Sequence, residues 1–446
     1  METYEILTEL LHEKKWKDLK ELLDEMNEQD IAELFMELEE RDLTLIYRLL
    51  NKELAAEVFV NMEPEYQEQL IRAFSDSELR EVLDELYVDD AVDLIEEMPS
   101  SLVKRILKHT DPETRKSINE ILKYPEDSAG SIMTIEYVDL KRSMTVSDAF
   151  MRIRRTGVDK ETIYTCYVTD SKRKLKGVVT AKELLLADEN ATIRDIMEDN
   201  VISVNTWEDK EVVADLFDKY DLLALPVVDR ENRLVGIITV DDAIDVMQEE
   251  ITEDMELMAA ITPTDKPYLK MSVFENFKKR IPWLMLLMVS ATFTEKIITH
   301  FEGALTACVA LTAFIPMLTG TCGNCGNQSS STIIRGISLG EIEFKDTLKV
   351  VLKELSIALI CGIALAVVNF AKLMIFDDVG WKIALVVSVT MIAAVVFAKV
   401  VGSILPVVAK KIGFDPAVMS SPFISTIVDA VTLLIYFTIA SSLLKL

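Results

Sequence analysis

The sequence predicts a multidomain protein: an all-α superhelical N-terminal domain, an α+β tandem pair and a five-helix transmembrane domain. Three observations carry this. The chain has 446 residues, too many for one ordinary domain. Its charge is lopsided: residues 1–265 hold 64 acids against 31 bases, a net of −33, whereas the remainder is mildly basic at +5. Its apolar pattern also changes twice, from three- and four-residue steps to short strand-like runs, then to stretches near the ~20 residues a bilayer requires.

Residues 1–130 form the acidic helical domain. "DIAELFMELEERDLTLIYRLL" and "DAVDLIEEMPSSLVKRIL" show helical spacing, and breaks near Pro64, Pro99 and Pro112 suggest short helices in a small superhelical array. The opening segment is charged and amphipathic, without the apolar core of a secretory signal, so the front half is expected to stay in the cytosol. Cys166, Cys308, Cys322, Cys325 and Cys361 are then expected to be reduced. So acidic a surface argues against nucleic acid and favours cations as partners, although solubility alone also explains acidic surfaces.

Residues 131–250 contain a repeat. "YVTDSKRKLKGVVTAKELLLA" and "PVVDRENRLVGIITVDDAIDV" align at a constant offset of 59, pairing Asp170 with Asp229, Gly177 with Gly236 and Thr180 with Thr239. Each copy reads as strand, turn, strand, helix. The repeat resembles a pair of CBS modules. That resemblance implies a possible adenine-nucleotide site, ATP included, at Thr239, Asp241 and Asp242.

Residues 251–278 are expected to form a connecting, plug-like helix. Across this junction Asp242, Asp245, Glu249, Glu253 and Glu256 fall at steps of three or four, flanked by Glu250 and Asp254. Like charges so spaced weaken a helix by a few tenths of a kcal/mol per pair. A divalent cation relieves them; a solvated acidic face is the plainer reading. Asp89, Asp90 and Asp93 form a second acidic group, and Glu211, Asp218 and Asp221 a third.

Residues 279–446 form the transmembrane domain, with spans expected at about 281–301, 304–330, 355–376, 382–409 and 419–444. Eleven basic residues, from Lys266 and Lys270 to Lys410 and Lys411, lie on one side of these spans and four on the other. This bias places the N-terminal half in the cytosol and the C-terminus outside, in a multi-pass plasma (inner) membrane protein. The second span, "PMLTGTCGNCGNQSSSTIIRG", reads as irregular Gly-rich backbone, tolerated at membrane depth only beside protein or water; tight small-residue packing is the alternative. The fifth places Asp415 at its cytosolic entrance, then Thr426 and Asp429. An acid within a span is costly and faces a partner or a wet path.

"EDSAGSIMT", "GNCGNQSSSTIIRG" and "DPAVMSSPFISTIVDAVTLLIY", in this order around a CBS pair, resemble the MgtE family of magnesium channels along nearly the full chain. The resemblance implies a homodimer whose pore lies between two membrane halves, with Asp429 as its main cation site and Asp415 near its cytosolic end. Asn324 and Thr426 join them as candidate pore residues. It also implies that cytosolic Mg²⁺, bound among the acidic N-terminal, CBS and connecting segments, holds the channel shut. The departure is Cys322-Gly323-Asn324 where the family has Gly-Gly-Asn; with Cys325 it offers either a thiol pair or small residues for packing. No enzymatic motif emerges: an intramembrane aspartyl protease needs a second facing acid, and a redox enzyme needs cofactor motifs. A coupled carrier for Mg²⁺ or another divalent cation remains the alternative.

Overall fold

The structure, a computed structural model, describes every residue except Met1, Asp265, Pro267, Lys270, Asp378, Ser420 and Leu446. Lys270, one of the bases used for orientation, therefore lies outside the described residues. The chain divides into two compact units, Met1–Met247 and Gln248–Leu446.

The first unit opens with short helices from Glu2–His12 to Pro112–Ile121. Pro64 and Pro112 each occupy the first turn of a helix, where the missing N–H costs nothing. The helix that matters most for function is α1 (Val88–Glu97), which buries Val88, Ala91, Val92, Leu94 and Ile95.

Two three-stranded sheets follow. In the first, β1 (Tyr137–Lys141) pairs parallel with β2 (Thr162–Thr169), which pairs antiparallel with β3 (Leu175–Thr180). In the second, β4 (Val204–Asn205), β5 (Ala224–Val228) and β6 (Leu234–Thr239) repeat the topology. The sequence offset survives in the register: Val168 faces Gly177, and Val227 faces Gly236. The segment leading into each module pairs with a strand of the other. Thr134 bridges Ile237, and Glu198 bridges Val178. Both glycines permit that exchange, because a Cβ would come within 2.8 Å of Glu198 O at Gly177 and within 2.7 Å of Thr134 O at Gly236.

The "EDSAG" stretch fixes the helical array to the second module. Ala129 N donates to Glu208 O at 2.7 Å and Gly130 N to Thr206 O at 3.0 Å. Tyr124 meets Trp207 edge-on at 5.9 Å. One apolar core runs from Leu7 through these helices to Ile238 and Ala243.

Helix α2 (Lys210–Tyr220) belongs to the second module, and α3 (Val240–Met258) leaves it. Within the stretch expected to form the connecting helix, α3 ends at Met258 and a new helix, α4 (Val273–His300), begins. Thereafter come α5 (Ile315–Ser338), α6 (Thr347–Ile375), α7 (Trp381–Lys411) and α8 (Ser421–Leu444).

Among the described residues, four helices are long and apolar enough to cross a bilayer: α4, α6 with its preceding turn, α7 and α8. The expected second span is the exception. Helix α5 has 24 residues, but its Gly, Asn, Gln and Ser content leaves it outside that set. The irregular backbone expected here is also absent: α5 is one unbroken helix, so its carbonyls bond within it. Gly326 serves close packing instead, whereas Gly320 faces open space. A Cβ on Gly326 would lie 2.8 Å from Ile424 Cγ2, and one on Gly402 of α7 would collide with the carbonyl of Gly326. Helix α7 is central, with 56% of its apolar window buried, whereas none of α4's is.

Candidate cation sites

Helix α8 carries Asp429, the candidate membrane residue. Its apolar side buries Ile424, Val428, Leu433, Tyr436 and Phe437, which turns Asp429, half-buried, towards a cavity of about 390 Å³. Thr426 lines the same cavity one turn earlier. From α4 come Thr294, Thr299 and a second carboxylate, Glu295. The sequence reading found no second acid at this depth. Glu295 was visible as a charge before the outer end of the first span, but nothing in one sequence shows which helix face meets Asp429.

The α5 motif packs beside this site. Asn327 Nδ2 lies 3.4 Å from Ser425 Oγ, while Asn324 is exposed and does not line the Asp429 cavity. Cys322 is fully buried and Cys325 nearly so, both within the apolar core of this unit. All five cysteines are free thiols.

A charged group that sequence reasoning missed lies deeper. Lys399 on α7 and Glu354 on α6 are 5% and 7% exposed, and Ser329 of α5 bridges them. The signal was available: one lysine in "AAVVFAKVVGSIL" and one glutamate in "LKELSIALI".

At the other end of α8, Asp415 is exposed and caps the following turn, its Oδ1 accepting from Ala417 N at 2.7 Å. Its charge is felt by Asp254 of α3. Burial first, then Asp415, pushes the Asp254 carboxyl up to about 6, although Ser338 Oγ donates to it at 3.4 Å. The structure thus joins one acid of the connecting segment to the expected mouth of the ion path. Glu249, Glu250 and Glu253 share α3.

In the first unit the acids converge from separate elements. Asp89 and Asp90 on α1, Glu136 before β1, Glu161 before β2, and Asp241 and Asp242 at the start of α3 form one field of like charge. Asp89 is 9% exposed. Burial, then Asp90 and Asp242, holds its carboxyl well above the usual range. Burial and Asp242 push Asp90 up to about 6; burial and Asp90 push Glu161 up to about 8; burial pushes Asp242 up to about 6. Asp93 keeps a solvent-facing side yet shifts the same way. Among the described residues, no three His, Cys, Asp or Glu side chains are placed to hold one ion directly. The carboxylate oxygens in this field come from different elements, and hard oxygens are the atoms that Mg²⁺ prefers.

The candidates on α2 separate from this group. Glu211 and Asp218 lie exposed along α2, and Asp221 is its exposed left-handed C-cap at φ 51°. Asp245, exposed on α3 one turn after Asp242, does join the field, its charge adding to the upward push on the Asp242 carboxyl. Thr239 and Asp242, candidates for nucleotide contact, bond each other: Thr239 Oγ1 donates to Asp242 Oδ2 at 2.6 Å. Thr180 and Glu183 repeat that cap in the first module at 2.9 Å.

Three family models divide this chain in the same order as its architecture. Residues 26–127 match an MgtE intracellular N domain, 129–190 and 193–249 match CBS domains, and 315–439 match MgtE, a divalent cation transporter. The magnesium transporter MgtE of Thermus thermophilus is 37% identical over 90% of this chain and 89% of its own. The chain belongs to the MgtE family. The Bacillus subtilis magnesium transporter MgtE is 33% identical over 85% of this chain and 84% of its own. Among solved structures, the cytosolic domain of the Mg²⁺ channel MgtE in complex with ATP is 40% identical, with TM-score 0.52, covering 54% of this chain and 98% of that one. The soluble part of a magnesium transporter gives 33% identity and TM-score 0.53, covering 56% and 98%. MgtE proteins are magnesium transporters rather than enzymes, and the residues that match the divalent cation transporter model include helices long and apolar enough to cross a bilayer.

Proposed function

We propose that this MgtE protein is a magnesium-selective channel mediating Mg²⁺ uptake, shut by Mg²⁺ bound to its acidic cytosolic surfaces. The observation that carries the reading is Asp429, a carboxylate held by an otherwise apolar helix against a cavity with room for a hydrated ion. A divalent cation offsets the cost of that charge, and Mg²⁺, slow to lose water, suits a carboxylate-lined path. The protein acts as a homodimer in the plasma membrane, its N-terminal half cytosolic and its C-terminus outside. Two Asp429 residues across the twofold axis then supply two charges to one ion. Asp415 lies at the cytosolic mouth.

Gating follows from the acid field on α1 and α3. Bare, Asp89, Asp90, Glu161 and Asp242 oppose their own proximity; hydrated Mg²⁺ among them favours the closed arrangement by its differential affinity for that state. Binding of ATP or another adenine nucleotide at the CBS pair belongs to the same proposal, supported by the ATP in the related cytosolic domain.

Purified protein in planar bilayers, with Mg²⁺ varied on the soluble side, tests the reading. The expected record shows unitary current steps whose open probability falls as Mg²⁺ enters the millimolar range, and D429A is silent while still assembling. Saturable flux without unitary steps indicates a coupled carrier instead.

A further inference from the structure

The acid that faces Asp429 across its cavity has no part in the reading above. Glu295 projects from α4 into that space together with Thr294 and Thr299, while Asp429 and Thr426 line it from α8. Trp283 of α4 meets Phe423 of α8 edge-on at 6.1 Å. The two helices run the same way from that contact, so Glu295 stands farther along α4 than Asp429 does along α8. Among the described residues, no ion pair or hydrogen bond engages the Glu295 carboxylate.

We infer that Glu295 is a second cation-binding and specificity-determining residue of the transport path, an outer carboxylate that a hydrated divalent ion meets before Asp429. This rests on Asp429 being the cation site. Glu295 belongs to a helix whose neighbouring surface is apolar and exposed within the chain, including Met288 at 65% and Phe293 at 64%. A carboxylate on such a surface is costly unless it faces water or a counter-charge; the cavity shared with Asp429 has room for water, and because Asp429 carries the same sign, a bound cation supplies the counter-charge. Size agrees: six waters at ~30 Å³ each fill about 180 Å³, within the cavity's roughly 390 Å³. Two carboxylates and three hydroxyls around one cavity suit an ion held through its water shell, since such oxygens accept from or donate to water without displacing it. A charge at the outer side of the main site concentrates cations ahead of it, which lowers the concentration needed for half-maximal flux.

Full-length protein in liposomes, with Mg²⁺ entry followed by an internal magnesium dye, tests this through E295Q, E295D and E295K. Half-saturating Mg²⁺ should rise about fivefold in E295Q, the order expected for losing one charge near a divalent ion in water. It should rise further in E295K and return to within twofold of wild type in E295D. Maximal flux should fall less than half-saturation rises, and added monovalent salt should narrow the difference between wild type and E295Q. A half-saturating concentration unchanged across the series overturns the inference; if E295K does not fold, the Gln and Asp variants decide. D429N separates the two readings. Wild-type flux in D429N removes Asp429 from the site and the proposed function with it. Lost flux in D429N with a flat Glu295 series overturns only the role of Glu295.

Discussion

Lys399 Nζ lies 3.7 Å from Glu354 Oε2 in the interior of the membrane unit. Ser329 Oγ joins them, donating to the carboxylate at 2.6 Å and accepting from the ammonium at 3.2 Å. Three helices are thus tied at one buried point. Removing one charge leaves the other without its counter-ion, which costs about 3–5 kcal/mol, whereas neutralising both is often tolerated. K399M should therefore lower the thermal unfolding midpoint in detergent sharply, and K399M/E354Q should recover most of the loss. Equal stability of K399M and wild type removes the pair from the structural account.

Helix α5 meets α7 through glycine rather than side chains. G402A places a methyl group against the Gly326 carbonyl, where only a backbone shift makes room. Folded, monodisperse protein should fall several-fold by size-exclusion chromatography, with G320A, whose Cβ meets nothing within 4 Å, as the matched control.

Burial of Cys322 and Cys325 favours packing over metal contact. Replacing both with Ser should preserve Mg²⁺ flux and its order against Ca²⁺, Mn²⁺ and Co²⁺. Selective loss of Mn²⁺ or Co²⁺ passage would place the sulfurs on the ion path.

The acid field gives a pH dependence whose sign is opposite to that of a salt-bridged carboxylate. Asp90 and Asp242 at about 6 and Glu161 at about 8 all exceed the usual 4 or so of an unfolded carboxyl. The folded form then holds more protons, and stability falls as pH rises through these values. Without divalent ions, the 1–247 unit should lose on the order of a few kcal/mol between pH 5 and 8, read as a falling melting temperature. Millimolar Mg²⁺ should flatten that slope, and D90N/D242N should flatten it without Mg²⁺. A slope that neither change alters would leave the field a solvated face.

Much of the architecture was legible because repetition and periodicity are linear signals. The 59-residue offset reappears in the strand register, and a lone acid in an apolar run marked Asp429. The four glycines of the α5 motif were misread as irregular backbone, because glycine signals both loose chain and close packing, and only the neighbouring helix decides. Glu211, Asp218 and Asp221 do share a helix and its cap, but on a surface turned to solvent. Glu295 and the Lys399–Glu354 pair went unseen as partners for the same reason: a sequence displays charges without the rotation of the helices that carry them.

The crossed lead segments of the CBS modules make the repeat indivisible. Thr134 completes the second sheet and Glu198 the first, so each half holds an edge that the other requires. A protease nick in the exposed 188–190 turn would sever the chain without releasing either piece, since both fragments stay clasped through backbone bonds at two places.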